Sequence, residues 1–268
     1  MKSISSMQLL LACLVVLFVS GCASLDTVFS EAPEKPEAAQ QSSDLAKETE
    51  QASEGGAAQG EQAQVVVDPL QQKVAELRAM PNLYLSGSPS VDETAKRQFR
   101  QAVTAKQENK PKVAETILLD LTQSQPGLSG PWVILGDLKM DAYTALPNSK
   151  WDQKQELLQQ AKTSFEKAIK ANQHNYFAHN RLARVLRELG LFEQAEAHYK
   201  KAIASWPAYD NAYLNLGILY DLYTDKKAQA LSQFELYQAL QEKPSRQVRG
   251  WIADLKRQVR TASAGGAQ

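Results

Sequence analysis

The chain of 268 residues exceeds one ordinary domain, but 43 % hydrophobic content and a formal charge of zero describe it only on average. Residues 23–68 carry ten acids against two lysines, a net −8, whereas residues 69–268 carry 27 bases and 20 acids, a net +7. An excess that dilute over 200 residues is no argument for nucleic acid.

The first stretch is a targeting segment. Lys2 supplies a basic start and Leu9 to Val19 an apolar run too short to span a bilayer, which takes about 20 residues. It ends in Val19-Ser20-Gly21-Cys22, which resembles the lipobox of bacterial lipoproteins. The resemblance implies a signal peptide over 1–21 and acyl chains, palmitate among them, on Cys22, with several chains anchoring more durably than one. With Ala23 and Ser24 after the cysteine, it also implies sorting to the periplasmic face of the outer membrane of a Gram-negative bacterium. Cys13 leaves with the leader, so the mature chain has one cysteine and no internal disulfide or thiolate metal site.

Residues 22–68 are acidic and rich in Ala, Gln, Ser, Pro and Gly, with too little apolar surface to offset chain entropy. They read as a disordered tether. Residues 69–94 read as a short helix from Pro69 to Met80, stopped by Pro81, and an extended connection through Asn82 to Gly87. Leu83-Tyr84-Leu85 is too apolar for a free tail, and either caps the first repeat or lies along a groove. Ser90 with Glu93 has the form of a capping box.

From residue 95 the pattern repeats. Leu182, Ala183, Leu186, Phe192, Ala195, Tyr199 and Ala202 mark two amphipathic helices turning at Gly190 and closed by Pro207. Ala161, Phe165 and Ala168 lie 34 residues earlier than Ala195, Tyr199 and Ala202; Leu216 and Gly217 lie 34 later than Leu182 and Ala183. Ala230 and Phe234 follow after 35, a one-residue slip assigned to the Tyr223–Lys227 turn. Trp132, Leu135 and Gly136 open an earlier copy whose second helix comes 13 residues late, so 141–155 holds an insertion. Phe99, Ala102, Ala114, Leu118 and Leu121 form the weakest copy.

These positions resemble the tetratricopeptide repeat, whose pattern Tyr213-x-x-Leu216-Gly217-x-x-Tyr220 and Ala195-x-x-x-Tyr199-x-x-Ala202 follow closely. His179, Lys139 and Tyr237 depart from it. The resemblance implies an all-α, right-handed helical-hairpin solenoid of about four tetratricopeptide repeats over 95–260. A terminal helix over 245–260, with Val248, Trp251, Ile252 and Leu255 inward, caps it, because the last repeat otherwise exposes its apolar face. Residues 261–268 read as a disordered tail.

Nothing in the sequence argues for an enzyme, a cofactor or a metal. His174, His179 and His198 have structural explanations, and no phosphate loop, HExxH or GxSxG is present. In the resembled family the first helices line the concave face. That correspondence puts Val133, Asp137 and Met140, then Phe177, Asn180, Arg184 and Arg187, then Asn211, Leu214, Asn215, Ile218 and Asp221 in a groove for protein partners. Arg184 and Arg187 suit a carboxylate or an extended peptide, or are simply a solvated face paired with Glu188 or Asp221. Trp151, in the insertion, is either a docking anchor or tucked against the solenoid. The expected function is a lipid-anchored periplasmic scaffold that binds envelope protein partners for a trans-envelope machine (pilus, motility or energy-transducing). The alternatives are an adaptor of a peptidoglycan hydrolase and a small-molecule or glycan binder.

Overall fold

The repeat period becomes visible at the turns. The computed structural model describes residues 68–86 and 90–265; the leader, Cys22 and the tether lie outside these residues. Eleven helices are described: α1 (Pro69–Ala79), α2 (Leu83–Ser86), α3 (Glu93–Gln107), α4 (Pro111–Ser124), α5 (Ser129–Ala145) and α6 (Trp151–Ala171), followed by α7 (Tyr176–Glu188), α8 (Phe192–Ser205), α9 (Asp210–Leu222), α10 (Lys227–Leu240) and α11 (Arg246–Gly265). All described residues fall in one compact unit.

The helices pair as four hairpins, α3–α4, α5–α6, α7–α8 and α9–α10, each stacking on the next, and α11 packs on α10. Two hairpins turn alike. Asn109 (φ 58°) and Gly190 (φ 74°) adopt the left-handed conformation that lets the following N–H reach back to Ala105 O and Leu186 O, each at 2.8 Å. In the last hairpin Asp225 takes that conformation, and Lys226 N reaches one residue further back, to Tyr220 O. That extra residue is the slip expected between Tyr223 and Lys227.

Within the second and fourth hairpins a glycine of the first helix meets an aromatic ring of the second, whereas α4 of the first hairpin carries no ring and buries Leu118 and Leu121 instead. A methyl group on Gly217 would lie 2.6 Å from Phe234 Cε1, so only glycine lets these helices close. Phe165, Tyr199 and Phe234 are all fully buried. The cap behaves as expected: Val248 and Leu255 are buried, and the Trp251 ring sits 5.3 Å from that of Phe234.

Four expectations need correction. The insertion at 141–155 is not a separate segment between two helices of ordinary length, because α5 and α6 lengthen into it and leave only 146–150 as connection. The Asn82–Gly87 stretch is not fully extended, since Leu83–Ser86 form a helical turn whose opening N–H groups, Tyr84 and Leu85, bond to Asn82 Oδ1. Helix α3 is capped by Asp92, which accepts from Ala95 N at 2.8 Å, rather than by Ser90. The tail is helical to Gly265, since Thr261 to Ala264 contain no residue that breaks α11 and the tail's first glycine comes only where the helix ends.

The segment 69–86 does not cap the first repeat. It straps the stack from its far end. Val74 and Leu77 of α1 pack with Tyr213 and Leu240 of the last repeat, and Arg78 Nη2 donates to Leu240 O at 3.0 Å. Tyr84 of α2 then sits among Tyr176, Phe177 and Tyr209 and meets Ser129 Oγ at 3.2 Å. The strap thus runs back along the edge where first helices begin and second helices end.

Candidate protein-docking face

Across repeats, first helices touch one another, α3 with α5 and α7 with α9; no pair of second helices does so to the same extent. The first helices therefore lie on the inner side of the stack. Helix α7 is seated by Asn175, whose Oδ1 accepts from Ala178 N at 2.9 Å while its Nδ2 donates to Ser129 Oγ at 3.0 Å. One side chain caps α7 and ties it to the preceding repeat.

The residues expected in the groove divide into two groups along these helices. Toward the strap, Val133 and Asn180 are buried and Phe177 belongs to the aromatic cluster beneath Tyr84. Asn180 donates to Tyr209 Oη at 3.3 Å and accepts from Asn215 Nδ2 at 3.1 Å. The expectation that Asn180 meets a partner is corrected: its amide is spent on holding α7 and α9 together. Asp137 is taken by Arg181, whose Nε lies 2.6 Å from Oδ1. The same guanidinium sits 5.6 Å over the Phe177 ring. Arg181 was missed from sequence because the repeat pattern assigns it no groove position. Its spacing of four from Phe177 was the available signal.

Away from the strap, Arg184 is exposed, and Met140, Leu214 and Ile218 are half-buried against the core. Asn211 is exposed at the start of α9. Asp221 pairs with Lys227 at 2.9 Å, not with an arginine. Arg187 does pair with Glu188, at 3.3 Å, and lies 5.4 Å over the ring of Tyr223. Glu188 in turn accepts from Tyr143 Oη at 3.3 Å; burial and that carboxylate push the Tyr143 phenol up.

Arg187 is the unusual member. Its side chain is 12 % exposed, yet Nε and Nη1 are buried with no hydrogen-bond partner in the protein. Tyr199 Oη is likewise unpartnered; burial raises its pKa, opposed by the charges of Arg187 and Arg184. Orphaned donors of this kind each cost about 1–3 kcal/mol. A carboxylate would satisfy them.

Two histidines form a partly buried pair, His179 buried and His198 half-buried. His179 Nδ1 and His198 Nδ1 are 2.9 Å apart, and His179 Nε2 is 3.0 Å from Gln173 O. A carbonyl only accepts, so His179 carries its proton on Nε2 and accepts at Nδ1 from His198. Burial lowers both pKa values, His198 to about 4, with Lys201 adding to the effect on each.

Trp151 is the first residue of α6 and 65 % exposed, so it is not tucked against the solenoid. Two surface cavities, of about 370 and 380 Å³, lie elsewhere: one beside Arg97, Arg100 and Lys110, the other between Trp132 and Lys167. Neither is lined by Arg184 or Arg187. Among the described residues no three His, Cys, Asp or Glu side chains converge as a metal site requires, and no helix is long and apolar enough to cross a membrane.

Stacked helical hairpins with small-to-aromatic packing and an exposed inner face define a helical-repeat solenoid. The family model for the tetratricopeptide repeat matches residues 152–210 and 180–244, and the hairpins before 152 continue the same stack. No curated protein matches the sequence. Among solved structures, one described as the functional characterization of Pseudomonas aeruginosa pilF is 21 % identical with a TM-score of 0.52, covering 63 % of this chain and 71 % of that one. MamA from Desulfovibrio magneticus RS-1 is 17 % identical with a TM-score of 0.50, covering 66 % and 91 %. Human IFIT1, solved as a dimer with PPP-AAAA, is 16 % identical with a TM-score of 0.54, covering 65 % and 40 %. These likenesses are of fold. The solenoid is tetratricopeptide-like, an architecture that generally serves protein–protein interaction.

Proposed function

We propose that this chain is a periplasmic scaffold, anchored to the outer membrane through lipid on Cys22, that recruits a protein partner for a trans-envelope assembly. The observation that carries the docking part is the Arg184–Arg187 pair: one guanidinium exposed, the next with two donors unpartnered. A partner's carboxylate, from an acidic side chain or a chain terminus, reaches those donors when Tyr223 swings off Arg187. Leu214, Ile218 and Met140 supply apolar contact beside it, and Trp151 is a second, separate anchor. The leader motif supports the address, and the tetratricopeptide-like repeat supports a protein-binding role.

The test is capture from gently solubilised envelopes, comparing wild type with Arg184→Glu plus Arg187→Glu. A pilus, motility or energy-transducing component held by wild type and lost by the variant supports the reading. A peptidoglycan hydrolase lost in the same way redirects it to the adaptor alternative. Retention of the same partner by both removes these arginines from the docking site. Cys22→Ser is expected to release the chain from the membrane fraction and to abolish labelling by palmitate.

A further inference from the structure

We propose that the 69–86 strap is a placeholder, covering in cis a second docking surface that takes a partner peptide of the strap's own design. That design is a helical turn with two aliphatic residues three apart, Val74 and Leu77, followed seven residues later by a tyrosine, Tyr84.

The strap stands outside the repeat logic. It precedes the first repeat in sequence but docks on the last, through Leu240 and Tyr213, and reaches the third and second by Tyr84, against Tyr176 and Phe177 and against Ser129. Of its described residues just Val74, Leu77 and Tyr84 are buried. A segment with so few buried contacts opens locally at far lower free energy than the stack it covers.

What it covers is built for recognition. The rings of Tyr176, Phe177, Trp206 and Tyr209 pack on one another, with centroids 4.1 Å apart for Tyr176 and Phe177 and 4.6 Å for Tyr176 and Tyr209. Aromatic residues with polar tips are the usual anchors of binding surfaces. Laid bare, such a patch is one that soluble surfaces seldom expose, so it calls for a cover, its own or a partner's. The Ser129 hydroxyl, fixed by Asn175, is already aimed at a phenol. That preset contact selects tyrosine over phenylalanine.

The probe is a fluorescent peptide spanning Pro69–Ser86, titrated into the full-length chain and read by anisotropy. Wild type, its site filled in cis, is expected to bind at least about ten-fold more weakly than a full-length variant with Val74→Asp, Leu77→Asp and Tyr84→Ala, because only the strap-open fraction is competent. A peptide carrying Tyr84→Ala is expected to lose binding, and Tyr84→Phe to weaken it. Equal affinity for both chains, or none for a variant with intact helicity and melting, overturns the proposal. So does a dimer of the wild-type chain that forms at high concentration by exchanging straps, which assigns the surface to a second copy. Should the variant not fold, hydrogen exchange on wild type decides. Amides of Leu70–Ala79 exchanging well before those of Tyr176–Glu188 support a displaceable strap; exchange of both only on global unfolding overturns it.

Discussion

Gly136 of α5 lies directly against the ring of Phe165 in α6, so near that a methyl group there would stand 2.6 Å from Cζ. Gly217 and Phe234 repeat the relationship two hairpins on, and in each case the ring is rigid and fully buried. Gly136→Ala or Gly217→Ala is therefore expected to destabilise the fold by about 1–3 kcal/mol through overpacking. That corresponds to a fall in Tm of about 2–4 °C per kcal/mol for a unit of this size, read by thermal melting. An unchanged Tm would mean that the hairpin opens without cost.

The histidine pair makes stability depend on pH in a defined window. The folded pKa of His198, about 4, and that of His179 lie below the unfolded value of 6.5, so the unfolded chain binds protons first. Stability is complete above about pH 6.5 and is lost as pH falls from there toward 4. Lys201 and His174 are the charged or titratable neighbours that oppose protonation of His179, and neither supplies a compensating negative charge. Denaturation midpoints at pH 7.5 and 5 are expected to differ in wild type and to lie closer together in His198→Ala, the difference that remains coming from buried His179.

A second window lies lower. Glu196 accepts from Lys200 at 2.6 Å, Lys226 at 2.8 Å and Tyr220 at 2.9 Å. Burial resists its ionisation, but those bonds win and hold its pKa at about 2, below the ordinary 4.5. Its contribution is present above about pH 4.5 and is lost as pH falls toward 2. Because Glu196 joins the third repeat to Tyr220 and Lys226 of the fourth, Glu196→Ala is expected to cost about 1–3 kcal/mol at pH 7. Urea denaturation measures it.

Arg187 predicts a trade between stability and binding. Its unpartnered Nε and Nη1 cost the free protein stability, so Arg187→Met is expected to leave Tm unchanged or raise it while weakening partner capture. A fall in Tm of several degrees would show that the guanidinium holds the fold together.

Trp151 offers a negative control. Exposed at the start of α6, it can be changed to Ala within about 0.5 kcal/mol of wild-type stability, so loss of partner capture by that variant would report docking alone.

The sequence by itself determined the hairpins. The period of about 34 residues sets small residues and Phe or Tyr at matching positions in the last three copies, and such local, repeated constraints are readable because each hairpin packs mainly on its neighbours. The length of α5 and α6 was not readable in that way, since a period reports that 13 residues are extra but not that they extend two helices. Nor was the fate of the groove residues. The repeat pattern told Arg184 from Leu182 by face, but could not say that Asn180 is consumed by Tyr209 and Asn215, or that Arg181 pairs with Asp137. Only the tertiary structure decided where the strap lies. Arg78 and Leu240 meet across 162 residues and Tyr84 and Ser129 across 45, and contacts at such separations leave no period in the chain. They arise because the stack first brings the ends of α5, α7, α9 and α10 onto one edge, where an apolar strap has an aromatic surface to bury.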